Sequence, residues 1–117
     1  MMKELMKYKL HDFYGKDYWL IPILHRYSKN NGVAIELLDA DDGDTFAFLT
    51  VNLGGEAINQ NVDSVFVDIN NNRWAEKFIE TNALATKTQN FRKSGFCTYT
   101  EYKFNLSKIN VVEEDDL

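Results

Sequence analysis

Apolar residues in the first half of the chain recur with a period of two, the mark of strands rather than helices. From Asp17 to Tyr27, Trp19, Ile21 and Ile23 share one face, while Tyr18, Leu20, Pro22 and Leu24 share the other. A strand apolar on both sides is buried twice or meets a partner. Pro22 cannot donate to a ladder and so favours an edge strand or a bulge. An apolar edge is a candidate contact surface and leaves room for pairing with a second copy of the chain. Tyr8 to Tyr14 reads as an earlier strand closed by Gly15, after seven residues of helical composition too short for a stable helix. Ser28–Gly32 is a turn with an Asn-Gly pair, Val33–Leu38 a strand, and Asp39–Asp44 a second turn. Phe46–Leu53 follows as a strand with Ala47, Leu49, Val51 and Leu53 on one face. The stretch from Tyr18 to Leu53 is thus expected to form a three-stranded antiparallel meander.

The pattern changes after a polar loop at Gly54–Asp63, which is long for a compact domain. Val65, Val67 and Ile69 make a strand face, and then Trp74, Ala75, Phe78 and Ile79 recur at helical spacing. Arg73, Glu76, Lys77 and Glu80 fall on the opposite, solvent side. An Asn at Asn70–Asn72 caps the start of a helix spanning Asn72 to Thr81, and Asn82 is positioned to end it in the left-handed conformation. Ala83–Lys93 shows no period and reads as an irregular connection, before a last strand from Phe96 to Leu106. The fold class expected is α+β, an antiparallel sheet of about five strands with one main helix packed on one face. A chain of 117 residues suits one domain, residues 1–112, followed by an acidic tail at 113–117 expected to be disordered.

Composition narrows the setting. One cysteine, Cys97, excludes an internal disulfide and points to a reducing, cytoplasmic compartment. No charged-then-apolar leader opens the chain, and no apolar run approaches the roughly 20 residues of a membrane span, so no membrane partner is expected. Glu113, Glu114, Asp115 and Asp116 account for most of the charge, since without them the formal net charge falls from −5 to −1. A nearly neutral body lacks the basic face of a duplex binder.

Asp39-Ala40-Asp41-Asp42-Gly43-Asp44 suggests calcium, but an EF-hand loop needs Gly at position 6 and Glu at 12. Starting at Asp39, this chain has Gly43 at position 5 and Thr50 at 12, so the stretch reads as a solvated turn. Cys97 with His11 or His25 lacks any surrounding nucleophile motif, and a free cysteine inside a strand is ordinarily a small core residue. Asp68 precedes three asparagines at a helix start, a place where ligands often bind, but its charge is more simply satisfied by the backbone N–H groups of that terminus. Gly54-Gly55 lacks the downstream Lys-Ser/Thr of a phosphate loop. No Cys/His set suits zinc. Phe91, Arg92, Lys93 and Phe96 mix basic and aromatic character, the composition of a single-strand stacking platform.

The runs Leu49-Thr50-Val51-Asn52-Leu53, Val67-Asp68-Ile69-Asn70-Asn71, Trp74-Ala75-Glu76-Lys77-Phe78-Ile79 and Ser94-Gly95-Phe96-Cys97-Thr98-Tyr99, with Gly43, resemble the uncharacterised bacterial domain family DUF4313. The resemblance covers roughly Val33 to Phe104. Its most specific parts are the Ser-Gly-Phe-Cys-Thr-Tyr and Thr-Val-Asn-Leu runs. Thr100 stands where members often have Pro, and Thr88-Gln89-Asn90 where they often have Gly. The resemblance implies a small protein of bacterial mobile elements; it brings no activity, cofactor or catalytic residue. The reading that follows is a non-enzymatic interaction module of a mobile genetic element, an anti-defence inhibitor of anti-CRISPR or anti-restriction type, without cofactor or metal. Its contact residues are Asp39, Asp41, Asp42, Asp44, Tyr18, Leu20 and Leu24, and its partner is a host or element protein. The alternative is a nucleic-acid-binding accessory factor using Phe91, Arg92, Lys93 and Phe96.

Overall fold

The computed structural model describes residues 4–12, 14–26, 33–51 and 63–111. The Asn-Gly turn at Ser28–Gly32, most of the Gly54–Asp63 loop and the acidic tail lie outside the described residues. In chain order the elements are β1 (Tyr8–His11), β2 (Asp17–Arg26), β3 (Val33–Asp39), β4 (Thr45–Phe48), β5 (Thr50–Val51) and β6 (Ser64–Val67). There follow α1 (Ala75–Thr81), β7 (Ala85–Ser94), β8 (Cys97–Phe104), a 3-10 turn at Leu106–Lys108 and β9 (Asn110–Val111). The α+β, mostly antiparallel architecture expected from the sequence is present, and the β2–β3–β4 meander with it. The strands divide between two sheets. The first has the order β1-β2-β3-β4, with β9 also paired to β2; the second has the order β5-β6-β8-β7.

The strand expected at Phe46–Leu53 is therefore two strands. Thr45–Phe48 pairs with β3, and Thr50–Val51 pairs with β6. The change of sheet happens at Leu49. Its N–H donates to Ile35 O at 2.9 Å in the first sheet, and its carbonyl accepts from Asp68 N–H at 3.0 Å beside the second. Ile35 N–H then takes the Thr50 Oγ1 hydroxyl at 3.0 Å in place of a backbone acceptor. One core cluster draws on both sheets: Leu20, Val33, Ile35 and Leu37 from the first, and Val65, Val67, Tyr102 and Phe104 from the second. Helix α1 contacts β1 and β7, one strand from each sheet, and contributes Ala75, Phe78 and Ile79 to that core.

Strand β2 is an interior strand, not the expected edge. Antiparallel β3 lies along one side, while β1 and parallel β9 share the other, β1 against Asp17–Leu20 and β9 against Ile23–Leu24. Pro22 sits in the gap between those two short neighbours. Its carbonyl accepts from Asn110 Nδ2 at 2.9 Å, so its side of the strand faces the gap and the missing N–H removes no bond to β3. Buried Asn110 also grips the N-terminal segment, donating to Met6 O and accepting from Met6 N–H, both at 2.8 Å. Residues 4–7 hold no helix.

Three further expectations change. Helix α1 begins at Ala75 rather than Asn72 and has no side-chain cap. Asn72 instead donates to Phe48 O at 2.8 Å, and Asp68 receives the Asn71 N–H and side-chain amide. At the other end Asn82 keeps negative φ, and Ala83 takes the left-handed position at φ 52°. Leu84 N–H reaches Ile79 O and Ala83 N–H reaches Glu80 O, the paired bonds of a Schellman ending. Lastly, Ala83–Lys93 is mostly strand β7, paired with β8 across a bulge between Lys87 and Phe91. It carries no apolar period because it lies at the end of its sheet, where few of its side chains reach the core. The last expected strand stops at Phe104, and a further two-residue strand, β9, follows it.

Ala83 is exposed, so relief of its backbone strain is not offset by lost packing. Left-handed geometry costs a non-glycine residue about 1–2 kcal/mol, against about 0.5–1 kcal/mol of extra chain entropy for glycine. Ala83→Gly should raise stability by about 0.5–1 kcal/mol and the melting temperature by roughly 2–6 °C in a thermal scan. A lower melting temperature would contradict the assigned cap.

Candidate functional site

Alternation along β2 and β3 separates a core face from an outer face. Leu20, Ile35 and Leu37 are fully buried, and their neighbours Trp19, Ile21, Glu36 and Leu38 point the other way. On this outer face Trp19 remains 45% exposed and Phe48, from β4, 58% exposed. Polar contacts flank them. Lys7 Nζ stands 5.6 Å from the Trp19 ring centroid. Asp17 receives Lys9 at 3.2 Å and His11 Nδ1 at 2.6 Å, and these contacts, His11 first, hold its carboxyl below the usual range. Glu36 is the outer face's inner charge: it accepts from the Thr45 hydroxyl and lies 2.9 Å from His25 Nε2. The Thr45 bond, chiefly, and His25 lower its pKa against the opposing effect of burial.

The acidic turn is attached directly to Trp19. Ala40 N–H donates to Trp19 O at 2.8 Å. The turn closes on itself through Gly43 N–H to Asp39 O at 2.7 Å and Asp39 N–H to Asp44 O at 2.9 Å, with Gly43 at φ 78°. Asp39 and Asp42 each spend one carboxylate oxygen on a turn N–H, of Asp41 and Asp44 respectively. Asp41, Asp42 and Asp44 are exposed and Asp39 half-buried. The result is a turn of mostly exposed carboxylates whose backbone is joined to that of Trp19, a half-exposed indole. Among the described residues, no group of three or more His, Cys, Asp or Glu side chains is placed to hold a metal ion.

The structure redistributes the other residues singled out from the sequence. Leu20 is fully buried and serves the core, not a surface. Leu24 and Tyr18 are half-buried against it. Tyr18 begins a row of rings, 4.9 Å to Phe46, then 5.6 Å to Trp74 and 5.9 Å to Phe78, which ties β2 and β4 to the helix. Trp19, one residue out of phase with Leu20, is the exposed aromatic of this strand; the alternation contained that signal. His11 and His25 both engage carboxylates on the first sheet, whereas Cys97 belongs to the second. Its neighbour there is Tyr99, whose hydroxyl pKa is pushed up by burial and by the Cys97 thiol. Phe91, Arg92, Lys93 and Phe96 lie together on the β7–β8 hairpin.

A family model described as a domain of unknown function, DUF4313, matches residues 23–117. The chain belongs to the DUF4313 family. The matched part includes the acidic turn and the β7–β8 hairpin, while β1 and Trp19 precede it. No curated protein and no solved structure matches this DUF4313 chain. Among the described residues, no helix is long and apolar enough to cross a membrane.

The Glu36 contacts set an acid limit. Because its folded pKa is depressed, the unfolded chain binds the proton more readily. The stabilisation is therefore complete above the ordinary value of 4.5 and lost as pH falls through the lower folded value. Glu36→Gln should cost about 1 kcal/mol at neutral pH and flatten the decline of melting temperature below pH 4.5. An unchanged acid limb would contradict this role.

Proposed function

We propose that this DUF4313 protein is a non-enzymatic interaction module that binds a host protein through the outer face of its first sheet. The observation that carries the reading is Trp19, half exposed and joined by a backbone hydrogen bond to a turn of exposed carboxylates. Partly exposed tryptophans are typical binding anchors, since burying the indole supplies a large apolar area. The carboxylates of Asp41, Asp42 and Asp44 add long-range attraction toward a basic surface and reject acidic ones. Such spacing lets a small protein imitate a phosphate backbone in a basic channel. A restriction or CRISPR nuclease offers a channel of that kind. With the mobile-element setting implied by the family resemblance, the role is an anti-defence inhibitor working in the cytoplasm by steric and electrostatic occupation.

The test is capture of the tagged protein's partner from nuclease-treated lysate, followed by affinity measurement with variants. Trp19→Ala should weaken binding of that partner about 30-fold or more. Replacing Asp41, Asp42 and Asp44 with Asn should slow association and remove its dependence on salt. A partner bound equally well by both variants would overturn the proposal.

A further inference from the structure

A partner can meet the first sheet at an edge, by adding a strand, or on its outer face. The edges carry asparagine side chains on their outward carbonyls. Asn82 Nδ2 donates to Lys9 O of β1 at 3.2 Å, and Asn72 Nδ2 donates to Phe48 O of β4 at 2.8 Å. Asn110 fills the gap beside Pro22 in the same way. Just past β4, Leu49 O is taken by Asp68 N–H. A strand added at β1 or β4 would have to displace these bonds, whereas a partner lying on the outer face breaks none of them.

The face has a length and a direction. Trp19 is bonded to Ala40, and Phe48 lies opposite Glu36, four positions back along the same strand. Four positions span about 13 Å along the strand, and the two strand spacings from β2 to β4 add roughly 10 Å across it. The two exposed rings therefore stand at the ends of a diagonal of about 16 Å. Ile21 and Leu38, opposite each other and half-buried, fill its middle. About eleven residues of α-helix, three turns, cover that distance. An amphipathic helix lays a straight apolar stripe along such a diagonal.

Charge distinguishes the two ends. Asp41 and Asp44 are exposed at the Trp19 end, on the β3–β4 side. Lys7, over the Trp19 ring, comes from the segment before β1, on the opposite side of β2. Toward the Phe48 end, the Glu36 carboxylate already holds the Thr45 hydroxyl and His25. The free negative charge is thus concentrated beside Trp19, where it complements lysine or arginine.

We infer that the outer face of the first sheet seats an amphipathic helix of the partner, about three turns long, with basic residues at the end that meets the Asp41–Asp44 turn. The inference rests on this face being the contact surface and names the element that it recognises.

Two labelled peptides of about 18 residues, both of leucine and lysine in equal proportion, test it against the full chain by fluorescence anisotropy. One has leucines at helical spacing; the other alternates leucine and lysine and favours a strand. The helical peptide should bind at least about tenfold more tightly. Trp19→Ala and Phe48→Ala should each weaken it about tenfold, while Phe96→Ala, on the exposed β7–β8 hairpin, leaves it unchanged. Replacing Asp41, Asp42 and Asp44 with Asn should weaken it and reduce its salt dependence. Unchanged melting temperatures confirm that the variants fold. Equal affinity for the two peptides, or binding indifferent to both Trp19→Ala and Phe48→Ala, would overturn the inference. If Trp19→Ala still impaired capture of the cellular partner, the contact face would stand without the helix; if it impaired neither, both would fall. A dimer in sedimentation that Trp19→Ala dissociates would assign the face to a second copy and overturn the inference as well.

Discussion

At Leu49–Thr50 one segment has to satisfy two hydrogen-bond ladders at once, inside the core. Leu49 gives its N–H to Ile35 in the first sheet and accepts from Asp68 beside the second. Thr50, whose backbone now belongs with β6, leaves Ile35 N–H to be met by a hydroxyl. Leu49 and Ile35 are fully buried and Thr50 nearly so, which keeps water from substituting. A buried donor without a partner costs about 1–3 kcal/mol, a substantial share of a small domain's total stability. The hydroxyl at position 50 therefore lets the chain change sheets without that loss.

Much of the rest follows from this change of sheet. Inner faces from both sheets meet in one core, and α1 spans a strand from each. The outer face of the first sheet, carrying Trp19 and Phe48, stays available, as does the outer half of the β7–β8 hairpin. Asn110 completes the arrangement by joining the N-terminal segment, Pro22 and β9 through one side chain.

The sequence was legible where a period of two or of 3.6 was strong. The β2–β3–β4 meander, the Val65/Val67 strand face and the Ala75/Phe78/Ile79 stripe of the helix were readable on that basis. It was silent where contacts decide structure. Strand β7 has polar residues on both faces and is a strand because β8 pairs with it. Strand β9 is two residues long and depends on β2. Asn72 has the composition of a cap yet reaches Phe48, while Asn82 does end the helix, with its amide on Phe78 O and Lys9 O, but leaves the left-handed position to Ala83. Of the proposed contact residues, the acidic turn is visible in the sequence as a turn, and its union with Trp19 is not, because that rests on a bond between segments far apart in sequence. Leu20 belongs to the core because the face it shares with Pro22 is the inner one, and alternation alone does not say which of two apolar faces is covered.

The most direct test of this account is urea unfolding of Thr50→Val beside Thr50→Ser. Valine keeps the branched shape and removes the acceptor; serine keeps the acceptor. The account predicts a loss of about 1–3 kcal/mol for valine, with serine retaining most of the stability. Valine as stable as the native chain would show that the hydroxyl is not what allows the strand to pass between sheets.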